Sequence, residues 1–130
     1  MADDPRYQDV FVVRVVRSPL VVWRICTSDG TDQHALLDDF RSNYEKRPSK
    51  VRKLDAHATV IQMALSTWID PDAAARLAQR LPRQLGEYVA RLEIQAGEGV
   101  CVAESGPATH RSVWGRPLQL AAFVTDVWKA

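Results

Sequence analysis

The chain has 130 residues, 46% of them hydrophobic and 25% charged. That is the length of one domain with one core. Seventeen Lys and Arg against sixteen Asp and Glu leave a net charge of +1. This excludes a strongly basic nucleic-acid binder, or an acidic disordered tail, as a description of the whole chain.

Residues 1–9 carry Asp3, Asp4 and Asp9 and no apolar run. They read as flexible and as no secretory leader. The apolar stretch from Val10 to Val16 is broken by Arg14, far short of the roughly 18 apolar residues of a membrane span. A cytoplasmic protein without membrane contact is expected. Cys26 and Cys101 stand far apart in apolar segments, which leaves buried free thiols and a disulfide both open. No CxxC, HExxH or His/Cys cluster points to a metal site.

In chain order, residues 10–17 and 20–27 are rich in Val, Ile and Trp and read as strands on either side of Ser18 and Pro19. Ser28, Asp29 and Gly30 supply turn chemistry. Asp32 is placed to cap a helix over 33–45, with Leu36, Leu37, Phe40 and Tyr44 on its apolar stripe. Residues 41–53 read as a polar loop. Residues 58–69 fit either a helix or a strand. We take a short helical lead-in and a strand at 63–69, because Asp70 and Pro71 start a helix at once. That helix has Ala74, Leu77, Ala78 and Leu81 on its buried stripe and ends at Pro82. Residues 87–95 alternate as a half-exposed strand. Gly97 and Gly99 then turn the chain into a strand at 100–104, implying an antiparallel pair. A short strand at 111–114 and a short helix from Pro117 follow. Residues 124–128 form either a closing strand or more helix. The expected fold is a single α+β domain: a mixed, partly antiparallel sheet of five or six strands with two or three helices.

Three places carry candidate chemistry. The segment 41–53 holds six basic residues and one acid, and the chain's local charge is −3 over 1–40, +4 over 41–60 and zero over 61–130. Lys46, Arg47, Lys50, Arg52 and Lys53 can contact phosphates of a nucleotide or RNA, or simply form a solvated loop that balances the acidic start. Ser66 and Thr67 beside Trp68 can bind a ribose, or satisfy free N–H groups ahead of the Asp70 helix. His110 lies after a Gly-Pro loop and titrates near neutrality, so it is a candidate acid or base. No nucleophile lies near it in sequence. There is no GxSxG, P-loop or GxGxxG pattern.

Asp39-Phe40-Arg41-Ser42-Asn43-Tyr44-Glu45, then Ala64-Leu65-Ser66 leading into the Asp70 helix, then the segment His110 to Pro117 with its Val-Trp-Gly-x-Pro ending together resemble a group of small bacterial proteins, many actinobacterial. The resemblance spans residues 20–128 and brings no activity with it. The order of pieces also resembles the ADP-ribosyltransferase fold, whose Arg-Ser-Glu branch uses a first-strand arginine, a Ser-Thr-Ser strand and a later glutamate. That resemblance implies NAD as cofactor, held by Arg24, Ser66 and Thr67, with Tyr44 and His110 flanking the cleft. Such sites stabilise positive charge on the ribose with a carboxylate. Trp68 stands where the third motif residue would be serine, and no ExE or QxE pair occurs. Glu104 is then the expected catalytic carboxylate, ahead of the strand-face residue Glu93. The alternative reading is a non-catalytic module that binds a protein partner or RNA through the 41–53 loop.

Overall fold

The computed structural model describes residues 12–46, 63–106 and 108–130, with the backbone alone at 43 and 44. In chain order its elements are β1 (Arg14–Val15), β2 (Leu20–Cys26), α1 (Gln33–Asp39), α2 (Asn43–Lys46), β3 (Leu65–Trp68), α3 (Pro71–Arg80), α4 (Pro82–Leu85), β4 (Tyr88–Ile94), β5 (Cys101–Glu104), β6 (His110–Trp114), α5 (Pro117–Ala121) and β7 (Val124–Lys129). The α+β class holds. The strands form one sheet in the order β1-β5-β6-β3-β2-β4-β7, with every described pairing antiparallel. Seven strands replace the expected five or six, because the closing segment, open between strand and helix, is a strand; among the described residues five helices, three of them only four or five residues long, replace the expected two or three.

β2 is the organising strand. It pairs with β4 along its whole length, from Leu20↔Ile94 to Cys26↔Tyr88. Alternation sends Val22 and Cys26 to one core cluster, and Trp23 and Ile25 to the cluster under α3. β1 precedes β2 directly but pairs with β5, and the Val16 N–H donates to Val100 O at 2.9 Å. Two long antiparallel strands therefore run side by side and turn a corner together, at residues 17–19 on one and 95–99 on the other. Strands that pass from one limb of a sheet to the next bend in this way. Gly97 and Gly99 sit at the corner with φ of 81° and 76°, a region that glycine enters without steric cost. The glycine turn expected to pair β4 with β5 instead redirects the chain: β4 lies beside β2 and β7, and β5 beside β1 and β6.

Beyond the corner, β5 pairs with β6, β6 with β3, and β3 meets β2 at one residue pair, Trp23↔Trp68. The curled sheet encloses a core fed from both limbs. Val22, Leu92 and Ile94 come from one limb and Leu65, Val100 and Val113 from the other, with Phe40 closing α1 and Leu120 closing α5. α3 covers the opposite face through Ala74 and Ala78, packed with Ile25 and Val89. Its start is as expected: Asp70 accepts from the Asp72 N–H at 3.0 Å, Pro71 occupies the first turn, and Asp72 sits at the positive end of the dipole. Pro82 ends α3 and opens the single turn of α4.

The helix expected over 33–45 is two helices. Phe40 caps the first. A second start follows, in which the Ser42 N–H donates to Glu45 Oε1 at 3.0 Å and the Glu45 N–H to Ser42 Oγ at 3.3 Å. This reciprocal box satisfies donors that a helix start leaves free. The helical lead-in expected before β3, like most of the 41–53 loop, lies outside the described residues. Cys26 and Cys101 are both free thiols.

Candidate functional site

From Trp68 backward and Trp23 forward, β3 and β2 part. The main-chain directions show what this leaves open. The Ile69 N–H donates to Thr109 O at 2.9 Å, so odd-numbered residues of β3 turn their main-chain groups toward β6 and even-numbered ones toward β2. Ser66 therefore aims its N–H and carbonyl into the seam, where β2 offers no main-chain pairing. The exposed Ser66 carbonyl, left without a ladder partner, takes its donor from Arg24 instead. Its Nη1 donates to Ser66 O at 2.9 Å and its Nε to Asp39 O at 2.9 Å. The guanidinium also stands 5.9 Å from the centroid of the Phe40 ring, within cation–π range. Burial lowers its pKa from the ordinary value, opposed by Cys26 and Asp39, and an arginine stays charged under such shifts.

A cleft of about 250 Å³ opens where the strands part. Arg24 and Asp39 form its floor. Arg41 and Ser42 come from the α2 start and Lys46 from its end, and Ser66, Trp68 and Gln84 from the far wall. The Asp39 carboxylate is spent on the neighbouring turn: it accepts from the Thr27 N–H at 3.0 Å, the Thr27 hydroxyl at 2.7 Å and the Ser28 N–H at 3.0 Å. Arg41 is held by Asp38 Oδ1 at 3.2 Å and Glu45 O at 3.2 Å. Among the described lining residues, three cations face one carboxylate. Burial pushes the Cys26 thiol up to about 12, so it offers no thiolate at neutral pH.

The structure brings Arg24, Ser66 and Lys46 to one cleft. Ser66 contributes its carbonyl, while alternation puts its hydroxyl on the Trp68 side of β3. Thr67 is 1% exposed and donates its hydroxyl to Arg111 O at 2.9 Å. Glu104 is on β5, beyond β6 and β3 from Arg24, about 14 Å by strand spacing. It is exposed and paired with Arg14 at 3.8 Å and Arg111 at 3.6 Å. Glu93 pairs with Arg91 on the surface of β4. His110 lies behind the cleft wall, edge-on to Trp68 with ring centroids 5.2 Å apart. Its Nδ1 is 2.6 Å from Ser105 O, which assigns the proton to Nδ1. Burial lowers its pKa, Arg111 adds to that, and the Ser105 carbonyl opposes it. Tyr44 lies in α2. Arg47, Lys50, Arg52 and Lys53 lie outside the described residues.

Sequence reasoning missed Asp39, Arg41, Ser42 and Gln84. The Ser42–Glu45 spacing was a readable signal for α2. Nothing local marked Asp39 apart from Asp38 beside it. A larger groove of about 670 Å³ follows edge strand β1. Its lining is mainly apolar, with Arg17 and Ser18 beside an Arg14 already paired with Glu104. It therefore lacks the convergent polar groups of a small-molecule site. Among the described residues, no group of three or more His, Cys, Asp or Glu is placed to hold a metal, and no helix is long and apolar enough to cross a membrane.

No family model matches the chain, and no curated protein or solved structure matches it.

Proposed function

We propose that the chain binds a phosphate-bearing nucleotide in the cleft between β2 and β3, as the NAD reading of its Arg and Ser-Thr segments implies. What carries this is Arg24. Two main-chain carbonyls hold its guanidinium in a cleft where cations outnumber carboxylates. A planar fork fixed in advance loses little freedom when it takes an oxyanion. Lys46 and Arg41 add charge at the rim, and Trp68 offers an apolar wall. Ribosyl transfer needs a carboxylate at the sugar. Asp39 is the carboxylate lining the described cleft, and its oxygens are engaged by Thr27 and Ser28. The reading is therefore one of binding, with Glu104 outside it.

Calorimetric titration with NAD, ADP and AMP at low salt tests it. Binding should weaken about tenfold in Lys46→Ala, the loss of one charge-assisted contact of about 1.4 kcal/mol. A folded protein that binds none of the three at millimolar concentration removes the reading.

The RNA reading keeps one observation in its favour: Arg41 and Lys46, near the start of the basic segment, sit at the cleft rim. Neutralising Lys46, Arg47, Lys50, Arg52 and Lys53 together should abolish a steeply salt-dependent RNA affinity, measured by anisotropy, if that reading is correct.

A further inference from the structure

Resting on the nucleotide reading, we infer that the cleft takes a single phosphomonoester, of the size of a sugar phosphate or mononucleotide, with its phosphate against Arg24. Charge alone does not choose between a monoester and a dinucleotide, since the bridging phosphates of a dinucleotide also carry two charges. Size does. The cleft holds about 250 Å³, below the roughly 300–1,000 Å³ of pockets that enclose drug-sized ligands. A dinucleotide would leave one half outside.

The floor also favours one compact dianion. Arg24 spends Nε and Nη1 donors on Asp39 O and Ser66 O, and a guanidinium has five N–H groups. Three N–H groups, one on Nη1 and two on Nη2, remain for ligand oxygens. Arg41 and Lys46 stand on the same rim, and Arg41 is turned by Asp38 and Glu45 into a fixed pose. The Ser42–Glu45 box holds the turn that delivers both. Arg24, Arg41 and Lys46 thus line one small volume rather than a long groove, with Arg41 shared with Asp38, which suits a terminal phosphate that carries nearly two charges on one group. Trp68 and Gln84, on the far wall, then face the sugar or base.

The test is a competition series by calorimetry on the intact chain, with ribose 5-phosphate, AMP, inorganic phosphate and NAD as probes. Ribose 5-phosphate or AMP is expected to bind about tenfold or more tightly than NAD, a difference of about 1.4 kcal/mol. NAD binding as tightly as the monoesters overturns the inference and leaves the nucleotide reading standing. Inorganic phosphate binding as tightly as AMP also overturns it, because the ester portion would then contribute nothing. Failure of all four probes removes both. Lys46→Ala, an exposed side chain, should weaken monoester binding about tenfold with the fold intact. Arg24→Lys, which keeps the charge but loses the fork, should weaken it further, and unchanged affinity in both variants counts against the inference.

Discussion

The Asp39 carboxylate is 5% exposed and accepts three hydrogen bonds from Thr27 and Ser28. Its own carbonyl receives Arg24. One residue thus ties the end of α1, the turn after β2 and the floor of the cleft together. Asp39→Ala strands two main-chain N–H groups and a hydroxyl, and a buried donor left without a partner costs about 1–3 kcal/mol. We expect a loss of about 3 kcal/mol in urea unfolding, and a loss under about 0.5 kcal/mol would mean that water replaces the carboxylate freely. His110 makes a different kind of prediction. Its pKa is lowered, chiefly by burial, so the unfolded chain binds its proton more readily than the folded one. Stability is then unaffected above the ordinary histidine value of about 6.5 and falls as pH drops below it. Gln retains an N–H for the Ser105 carbonyl without titrating. In His110→Gln the decline in melting temperature between about pH 7 and 5 should flatten. An unchanged pH profile would place the titrating group elsewhere.

At the scale of elements, what could be read in the sequence was whatever its signals keep contiguous. α3 carries its cap, its first-turn proline, its buried alanine stripe and its stop within about a dozen residues, and it forms within a residue of its expected ends. The Val- and Ile-rich run at 20–27 became β2 and the alternating run at 87–95 became β4 for the same reason. The break between α1 and α2 escaped a reading based on the apolar stripe, because Phe40 and Tyr44 keep helical spacing across it; the Ser42–Glu45 box, a polar signal, decides it. Gly86 shows the opposite case, in which a single residue is dictated by a distant element. Its φ is 125°, and a Cβ there would run into the main-chain carbonyl of Cys26. That contact joins the end of α4 to the end of β2, next to the cleft. Gly86→Ala combines a disfavoured backbone angle with a backbone clash that no rotamer relieves. A loss of about 2–4 kcal/mol is expected in thermal or urea unfolding, well beyond the roughly 1 kcal/mol expected of Asp70→Ala at the α3 cap.

For the whole molecule, the sequence could not show how the limbs of the sheet meet, because register between strands far apart in the chain is decided by the collective fit of their buried faces. That fit puts seven residue pairs between β2 and β4 and one between β2 and β3. The two limbs are therefore joined by the corner at residues 17–19 and 95–99, by the shared core and by a seam of few main-chain bonds. Arg24 acts as a rung across that seam, serving the Ser66 carbonyl that β2 leaves without a main-chain partner. It also explains why the candidate site is at the seam: a fully paired sheet would have no cleft there, and an unbraced one would open. Hydrogen exchange separates these roles. A hydrogen bond to a charged group contributes about 1.5–3 kcal/mol. In Arg24→Met the seam-facing amide of Trp68, the β3 residue paired with Trp23 of β2, should therefore exchange about 10–100-fold faster. The amides of the β2–β4 ladder should keep the rates set by global unfolding. Equal acceleration at every strand would mean that Arg24 supports the core as a whole, and no acceleration at Trp68 would mean that the seam holds without its rung.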